Sequence, residues 1–302
     1  AREACEKGGM AGTSAMAVTL NSLGSIYHSQ ARFAEAEKSY LASLAVWKTP
    51  GTSNASIALT LNNLCALYTD MGDHKQGEKY CLRALDERRR LSGQDHPETA
   101  KTMVNLGALY AFQGRFPEAE RLYTQALEIQ RKALDPGDDN LALTRNNIAY
   151  LYHLQGKFIE AERLYRQALA SREKRFGPDH PLVAAVLNNM AALYSDEGKY
   201  SKAAQLLRRA IAIRERSLAP GDPAIATSLN NLALLCEKEG RYEEAESLYR
   251  RALEIAHAAF GAGHTQLLFA QQVHRHAFQR DVALGENHVA QDLARFIDEW
   301  LD

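Results

Sequence analysis

Apolar residues recur at helical spacing in pairs of segments along most of this chain, and a short break at a glycine separates the two segments. In one such pair, Ile148, Ala149 and Tyr152 precede Gly156 at the spacing of one helix face, and a second apolar run follows at residues 158–168. Glycine accepts the positive φ of a helix C-terminal turn without a Cβ clash. Because the break is only a few residues long, the pattern predicts two antiparallel helices joined by a tight turn.

The same pattern returns at a fixed interval of 42 residues, and an earlier copy at residues 20–44 fits one residue short. A helical pair cannot bury both of its faces alone, so the copies are expected to stack on one another. The interval is marked by Asn63, Asn105, Asn147, Asn189 and Asn231, and by Gly72, Gly114, Gly156, Gly198 and Gly240. The sequence therefore predicts six repeats, at 17–57, 58–99, 100–141, 142–183, 184–225 and 226–267, between an N-terminal flank (1–16) and degenerate capping helices (268–302).

The repeat resembles the tetratricopeptide repeat (TPR), and this resemblance covers residues 17–267. Its length of 42 residues exceeds the usual period of about 34. Together with the paired asparagines and the loop at 177–181, this length makes it similar to the repeats of kinesin light chains and their bacterial relatives. The resemblance implies an all-α fold, a right-handed α-solenoid of six helix-turn-helix TPR repeats with a C-terminal capping helical segment. The residues that match the family pattern are Met103, Leu106, Gly107, Tyr110, Ala119, Tyr123 and Ala126.

Charge and composition narrow the possible partners. Lys+Arg (36) and Asp+Glu (37) nearly cancel, and no basic stripe runs along a face, so nucleic acid is not expected as a partner. No apolar stretch approaches the ~20 residues that span a bilayer, so membrane insertion is not expected. A cytoplasmic location is expected, and export with a removed signal peptide is the alternative. Residues 1–12 resemble the end of a preceding second helix, as if the array were cut from a longer protein.

No local motif for catalysis or for binding a metal or cofactor stands out. His274 and His276 project about 200° apart around a helix, so the two imidazoles cannot hold one ion together. The segment 261–265 follows no strand and lacks the glycine pattern of a phosphate loop. Cys65, Cys81 and Cys236 occupy packing positions and are expected to be buried thiols. The sequence therefore predicts a protein that is not an enzyme and has no cofactor and no metal site.

The resemblance implies that the first helix of each repeat lines a concave groove. A row of amides suits an extended peptide, because each amide offers a donor and an acceptor to a backbone whose own polar groups are unpaired. We assign the first asparagine of each pair to partner contact, and leave the second open between partner contact and hydrogen bonding between helices. Lys101 and Arg145 lie on the same helices and could attract an acidic partner. The predicted partner-binding residues are Asn62, Asn63, Lys101, Asn105, Arg145, Asn146, Asn147, Tyr150, Asn188, Asn189, Asn230 and Asn231.

These observations favour a protein-protein interaction scaffold that holds an extended or helical segment of a protein or peptide partner in the groove. The chain itself is expected to be a monomer or a weak dimer. Two alternatives stay open, which are a structural or self-assembling element and the sensor half of a longer regulatory protein.

Overall fold

The computed structural model describes residues 9–30, 32–47 and 54–260, and these residues form twelve α-helices without a strand. The helices follow one another as six consecutive pairs, which confirms the predicted all-α repeat fold. The predicted capping segment 268–302 lies outside the described residues, as do residues 1–8 of the flank. The helices are α1 Gly9–Ser29, α2 Phe33–Trp47, α3 Asn54–Asp70, α4 His74–Ser92, α5 Pro97–Phe112, α6 Phe116–Ala133, α7 Asp139–Leu154, α8 Phe158–Phe176, α9 Pro181–Asp196, α10 Tyr200–Ser217, α11 Pro223–Lys238 and α12 Tyr242–Phe260.

The predicted glycine turns join the two helices of the second to sixth pairs. In the third pair the N–H of Gly114 donates to the carbonyl of Ala111 at 3.1 Å, and the N–H of Arg115 donates to that of Tyr110 at 2.8 Å. These bonds satisfy the carbonyls left free at the end of α5, and the left-handed backbone that they need favours glycine. The five glycines of this turn, Gly72, Gly114, Gly156, Gly198 and Gly240, have φ between 72° and 75°.

Inside the first and third pairs, a tyrosine of the second helix packs against a glycine of the first. A Cβ built on Gly107 would lie only 2.7 Å from Cε1 of Tyr123, and one on Gly24 would lie 2.6 Å from the Tyr40 ring. The second pair carries cysteines at both positions. Cys65 and Cys81 form a disulfide with a Cα–Cα distance of 4.9 Å, so the prediction of two buried thiols was wrong for them. The prediction holds for Cys236, which is a buried free thiol.

In the first unit (residues 1–171), successive repeats are joined by a recurring hydrogen bond from a tyrosine of one first helix to a glutamate of the preceding second helix. The hydroxyl of Tyr110 donates to Oε1 of Glu78 at 3.0 Å, and Arg115 donates to the same oxygen at 2.9 Å while its guanidinium lies 3.8 Å from the centre of the Tyr110 ring. Burial opposes ionisation of Glu78, but these hydrogen bonds outweigh it and hold the pKa of the carboxyl below its ordinary value. Matching bonds join Tyr68 to Glu37 and Tyr152 to Glu120.

The chain divides into two compact units, residues 1–171 and 172–302, with the boundary inside α8. In the first unit each second helix packs against the first helix that follows it, and the first helices α1, α3, α5 and α7 contact one another in that order. In the second unit α9 contacts α11 in the same way. Within each unit, the outer sides of the first helices therefore form one surface. No described helix combines the length and the apolar character needed to cross a membrane.

Candidate partner-binding surface

The predicted asparagines lie on one stripe of each first helix. The same stripe carries the residue three positions before the first asparagine position and the residue four positions after it, which is the spacing of a single helix face. We call this stripe the first-helix face. In the first unit it comprises Leu59, Asn62, Asn63 and Ala66 on α3, Lys101, Val104, Asn105 and Ala108 on α5, and Leu143, Asn146, Asn147 and Tyr150 on α7. In the second unit it comprises Ala185, Asn188, Asn189 and Ala192 on α9, and Thr227, Asn230, Asn231 and Leu234 on α11.

Some of these amides bond one repeat to the next. Nδ2 of Asn63 donates to Oδ1 of Asn21 on the preceding first helix at 3.1 Å. In the second unit, Oδ1 of Asn188 accepts from the hydroxyl of Ser228 on the following first helix at 3.3 Å. Part of the amide row therefore stabilises the contact between adjacent repeats.

Unused hydrogen-bonding capacity remains at four other amides, those of Asn62, Asn105, Asn230 and Asn231. The Oδ1 atoms of Asn62 and Asn230, which occupy equivalent positions in the second and sixth repeats, are buried and have no hydrogen-bond partner among the described residues. The side chains of Asn105 and Asn231 are half-buried and likewise form no hydrogen bond within the described part of the chain. Asn146 and Asn147 approach each other at 3.5 Å, which is a weak contact. Asn189, at the second position of its pair, is half-buried.

The two predicted basic residues have different surroundings. Lys101 is exposed on the first-helix face and pairs with Glu98 one turn before it at 2.6 Å. Arg145 lies away from this face, because it lines a cavity formed by α6, α7 and α8. Its position in the repeat is filled elsewhere by buried apolar residues such as Met103 and Leu187. The structure therefore brings Lys101, but not Arg145, together with the amide row.

The face also carries exposed apolar side chains that were not predicted as partner-binding residues. Leu59 is 45% exposed and Leu143 is 40% exposed, and each lies three residues before the first asparagine of its helix. Tyr150, which was predicted, is 38% exposed and packs edge-on against His153. Phe112, at the end of α5, is 62% exposed. The signal for Leu59 and Leu143 was available in the sequence, since a residue three positions before an outward amide shares its face.

The described residues offer little for catalysis. They contain no group of three or more histidine, cysteine or acidic side chains arranged to hold a metal ion. Burial raises the pKa of the Cys236 thiol to about 11, which keeps it protonated and unreactive at neutral pH. His274, His276 and the segment 261–265 lie outside the described residues.

Comparison with known families finds the tetratricopeptide repeat in two forms, one matching residues 56–132, 140–216 and 224–274 and the other matching residues 16–49. No protein with a curated description matches the sequence.

Several solved structures share the fold. BtubC (BKLC) from P. vanneervenii is 24% identical with a TM-score of 0.56, and the match covers 79% of this chain and 91% of that one. A putative kinesin light chain repeat protein from Podosopora anserina is 22% identical with a TM-score of 0.52 and coverage of 68% and 97%. NprR in complex with its cognate peptide NprX is 19% identical with a TM-score of 0.62 and coverage of 87% and 72%; apo NprR comes from B. thuringiensis. At these identities the likeness shows the fold alone.

Proposed function

This chain belongs to the tetratricopeptide repeat family, with repeats like those of kinesin light chains, and we propose that it is a non-enzymatic scaffold whose first-helix face holds an extended segment of a partner protein. A role in protein interaction is what this family of repeats supports in general. The finer proposal concerns where the partner lies and which side chains hold it.

The observation that carries the proposal is the combination of amides on the neighbouring first helices α3, α5 and α7 with exposed leucines at the same position of α3 and α7. On α7, Asn147 lies between Leu143 and Tyr150 on one stripe, and both of these neighbours are substantially exposed. Amides can pair with the N–H and C=O groups of an extended peptide, and leucine and tyrosine can receive its side chains. Exposed apolar residues grouped with unsatisfied polar groups are typical of interaction surfaces.

The structural neighbours support a peptide as the partner. NprR was solved with a cognate peptide, and it shares the fold over 87% of this chain. Because that likeness extends to the fold alone, it supports the class of ligand and leaves the side chains that bind it to be tested.

The amides to change are Asn105, which forms no hydrogen bond within the described residues, and Asn147, whose contact with Asn146 is weak. We propose selecting binders from a display library of random 12-residue peptides on the wild-type chain, and then measuring the affinity of the selected peptides for an Asn105→Ala/Asn147→Ala variant. If both amides bond the peptide backbone, binding should weaken by about 1–3 kcal/mol, which corresponds to a rise in Kd of roughly 5-fold to 150-fold. Asn63 is unsuitable for this test because its amide bonds Asn21.

A second pair of variants tests whether peptide binding depends on the first-helix face or on any exposed apolar residue. Leu143→Ser alters the face, whereas Leu82→Ser alters a leucine on the second helix α4 that is equally exposed, at 42%. The proposal predicts that Leu143→Ser weakens peptide binding and that Leu82→Ser leaves it unchanged. Peptides that bind all of these variants as tightly as the wild type would refute the first-helix face as the binding site.

A further inference from the structure

A cavity of about 570 Å³ lies in the first unit between the second helices of the third and fourth repeats. It is lined by Leu127 and Arg131 of α6, Pro136 of the following loop, Arg145 of α7, and Arg163 and Leu164 of α8. Gln167, Ala170 and Ser171 of α8 complete the lining, so three of its nine residues are arginines and none is acidic. The lining therefore combines three basic side chains with apolar residues and two neutral polar ones.

The three arginines form no ion pair or hydrogen bond with the described residues. Glu128 and Glu160 precede Arg131 and Arg163 by three residues, a spacing that allows an ion pair on a helix, but neither of these pairs forms in the described part of the chain. Many other arginines of the second helices do find a carboxylate, as Arg209 does with Glu173 at 2.7 Å. The arginines of the cavity therefore retain their full capacity to bind an anion.

Of the three arginines that line the cavity, Arg145 lies at a position where the repeat fold does not need a charged residue. Its position is occupied by Leu61, Met103, Leu187 and Leu229 in other repeats, and all four are buried. Burial, and then the like charge of Arg131, hold the pKa of the Arg145 guanidinium below its ordinary value. A cation at this position therefore opposes folding in the free protein, and an anion bound in the cavity would remove that opposition.

We propose that this cavity binds an organic phosphate, with the phosphate group held by Arg131, Arg145 and Arg163 and the organic part packed on Leu127, Pro136 and Leu164. A phosphate monoester offers up to two negative charges and three acceptor oxygens, which suits three guanidinium groups better than a single carboxylate does. The volume lies within the range of small-molecule sites, and it leaves room for an organic part beside the phosphate. The same chemistry is presented by a free phosphate ester and by a phosphorylated side chain of a protein.

This site is independent of the proposed peptide-binding face, because neither Arg131, Arg145 nor Arg163 belongs to that face. A substitution of Arg145 should therefore leave the affinity for the selected 12-residue peptides unchanged, and the two proposals can fail separately.

Isothermal titration calorimetry on the whole chain, in buffer free of phosphate, tests the site with phenyl phosphate, inorganic phosphate and benzoate. We expect phenyl phosphate to bind most tightly, because it alone combines the dianion with an apolar ring. The Arg145→Met variant should bind phenyl phosphate roughly tenfold or more weakly, since a charge-assisted bidentate contact is lost. Met is the residue at the same position of the third repeat, so this variant is expected to fold, which circular dichroism would check.

Arg83→Met is the matched control. Arg83 is exposed on the second helix α4, forms no ion pair in the described structure and does not line the cavity, so its loss changes the net charge equally and should leave binding unchanged. If Arg145→Met fails to fold, Arg145→Lys keeps the positive charge and removes the planar fork, and it should still weaken binding.

Equal binding of phenyl phosphate by the wild type and Arg145→Met, tighter binding of benzoate, or no binding at millimolar concentrations would overturn the proposal. A short phosphotyrosine peptide distinguishes the two sources of the ligand. Binding at least about tenfold tighter than that of phenyl phosphate would identify a phosphorylated protein as the source, and equal binding would identify a free phosphate ester.

Discussion

Two helical glycines of the first unit, Gly77 and Gly107, provide a matched test of how closely the helices pack. At Gly77 an added Cβ would lie 3.4 Å from Oγ1 of Thr69 and 3.5 Å from Cδ1 of Leu109, which are ordinary contacts. At Gly107 the Cβ would lie 2.7 Å and 2.9 Å from two carbons of the Tyr123 ring, so the ring or the helix must move. Tyr123 is only 2% exposed, and its buried ring has little space into which it can shift.

The magnitudes follow from two opposing effects. Replacing a helical glycine with alanine stabilises the helix by about 0.5–1 kcal/mol, because the unfolded chain loses backbone freedom. Forcing extra volume into a packed core costs about 1–3 kcal/mol. We therefore expect Gly77→Ala to raise the free energy of unfolding by up to about 1 kcal/mol, and Gly107→Ala to lower it by about 0–2 kcal/mol.

Urea denaturation followed by far-ultraviolet circular dichroism would measure both variants against the wild type. A Tyr123→Leu background supplies the control, because the fifth repeat already places Ala191 opposite Leu207, and both are buried. The cost of Gly107→Ala should be smaller in that background, since the ring that obstructs the new Cβ is gone. The reasoning would be refuted if Gly107→Ala stabilised the protein as much as Gly77→Ala, or if its cost were the same with and without Tyr123.

Three further predictions concern the bonds between helices and between repeats. Reduction of the Cys65–Cys81 disulfide, whose cysteines are 16 residues apart, should lower the free energy of unfolding by about 3 kcal/mol and reduce the Tm. A Cys65→Gly/Cys81→Tyr variant, which restores the glycine and tyrosine of the third repeat, should show the same Tm with and without reductant. Asn63→Ala should cost about 1 kcal/mol in urea denaturation through loss of the bond to Asn21, and an unchanged stability would exclude that bond. The pKa of Glu78 is lower in the folded protein than in the unfolded chain, where it is about 4.3. The carboxylate therefore stabilises the fold above the unfolded pKa, and this stabilisation is lost as the pH falls through the folded pKa. The free energy of unfolding of the wild type should exceed that of Glu78→Gln near neutral pH, and the difference should shrink in acid.

The repeat fold could be predicted from the sequence because the signals for it are local and recur. Gly114 and its equivalents mark turns whose positive φ only glycine adopts readily, and the apolar spacing around them sets the two helices of each pair. The disulfide was missed because Cys65 and Cys81 were interpreted separately as packing residues. Alignment of the repeats places Cys65 and Cys81 at the positions of Gly107 and Tyr123, which touch in the third repeat, so the disulfide becomes evident once that contact is known.

The candidate site was only partly predictable, because the direction of a side chain depends on its neighbours in the next repeat. Asn63 and Asn105 occupy the same position, and each has an asparagine 42 residues before it, yet Asn63 donates to Asn21 whereas Asn105 forms no hydrogen bond with Asn63. Arg145 was assigned to the same surface because it lies on the same first helix as Asn146, but adjacent residues project about 100° apart on a helix. That rotation places Arg145 against α6 and α8 instead.

Because the same bond between tyrosine and glutamate recurs, each repeat of the first unit contacts the next one through the same pair of residues. Glu37, Glu78 and Glu120 each present an acceptor to the tyrosine of the next repeat, whichever copy that tyrosine comes from. Deletion of residues 100–141 would therefore bring Glu78 next to Tyr152, and these two residues would form the same kind of pair in the same register. An array joined in this way can gain or lose whole copies by unequal recombination without any new joint having to evolve.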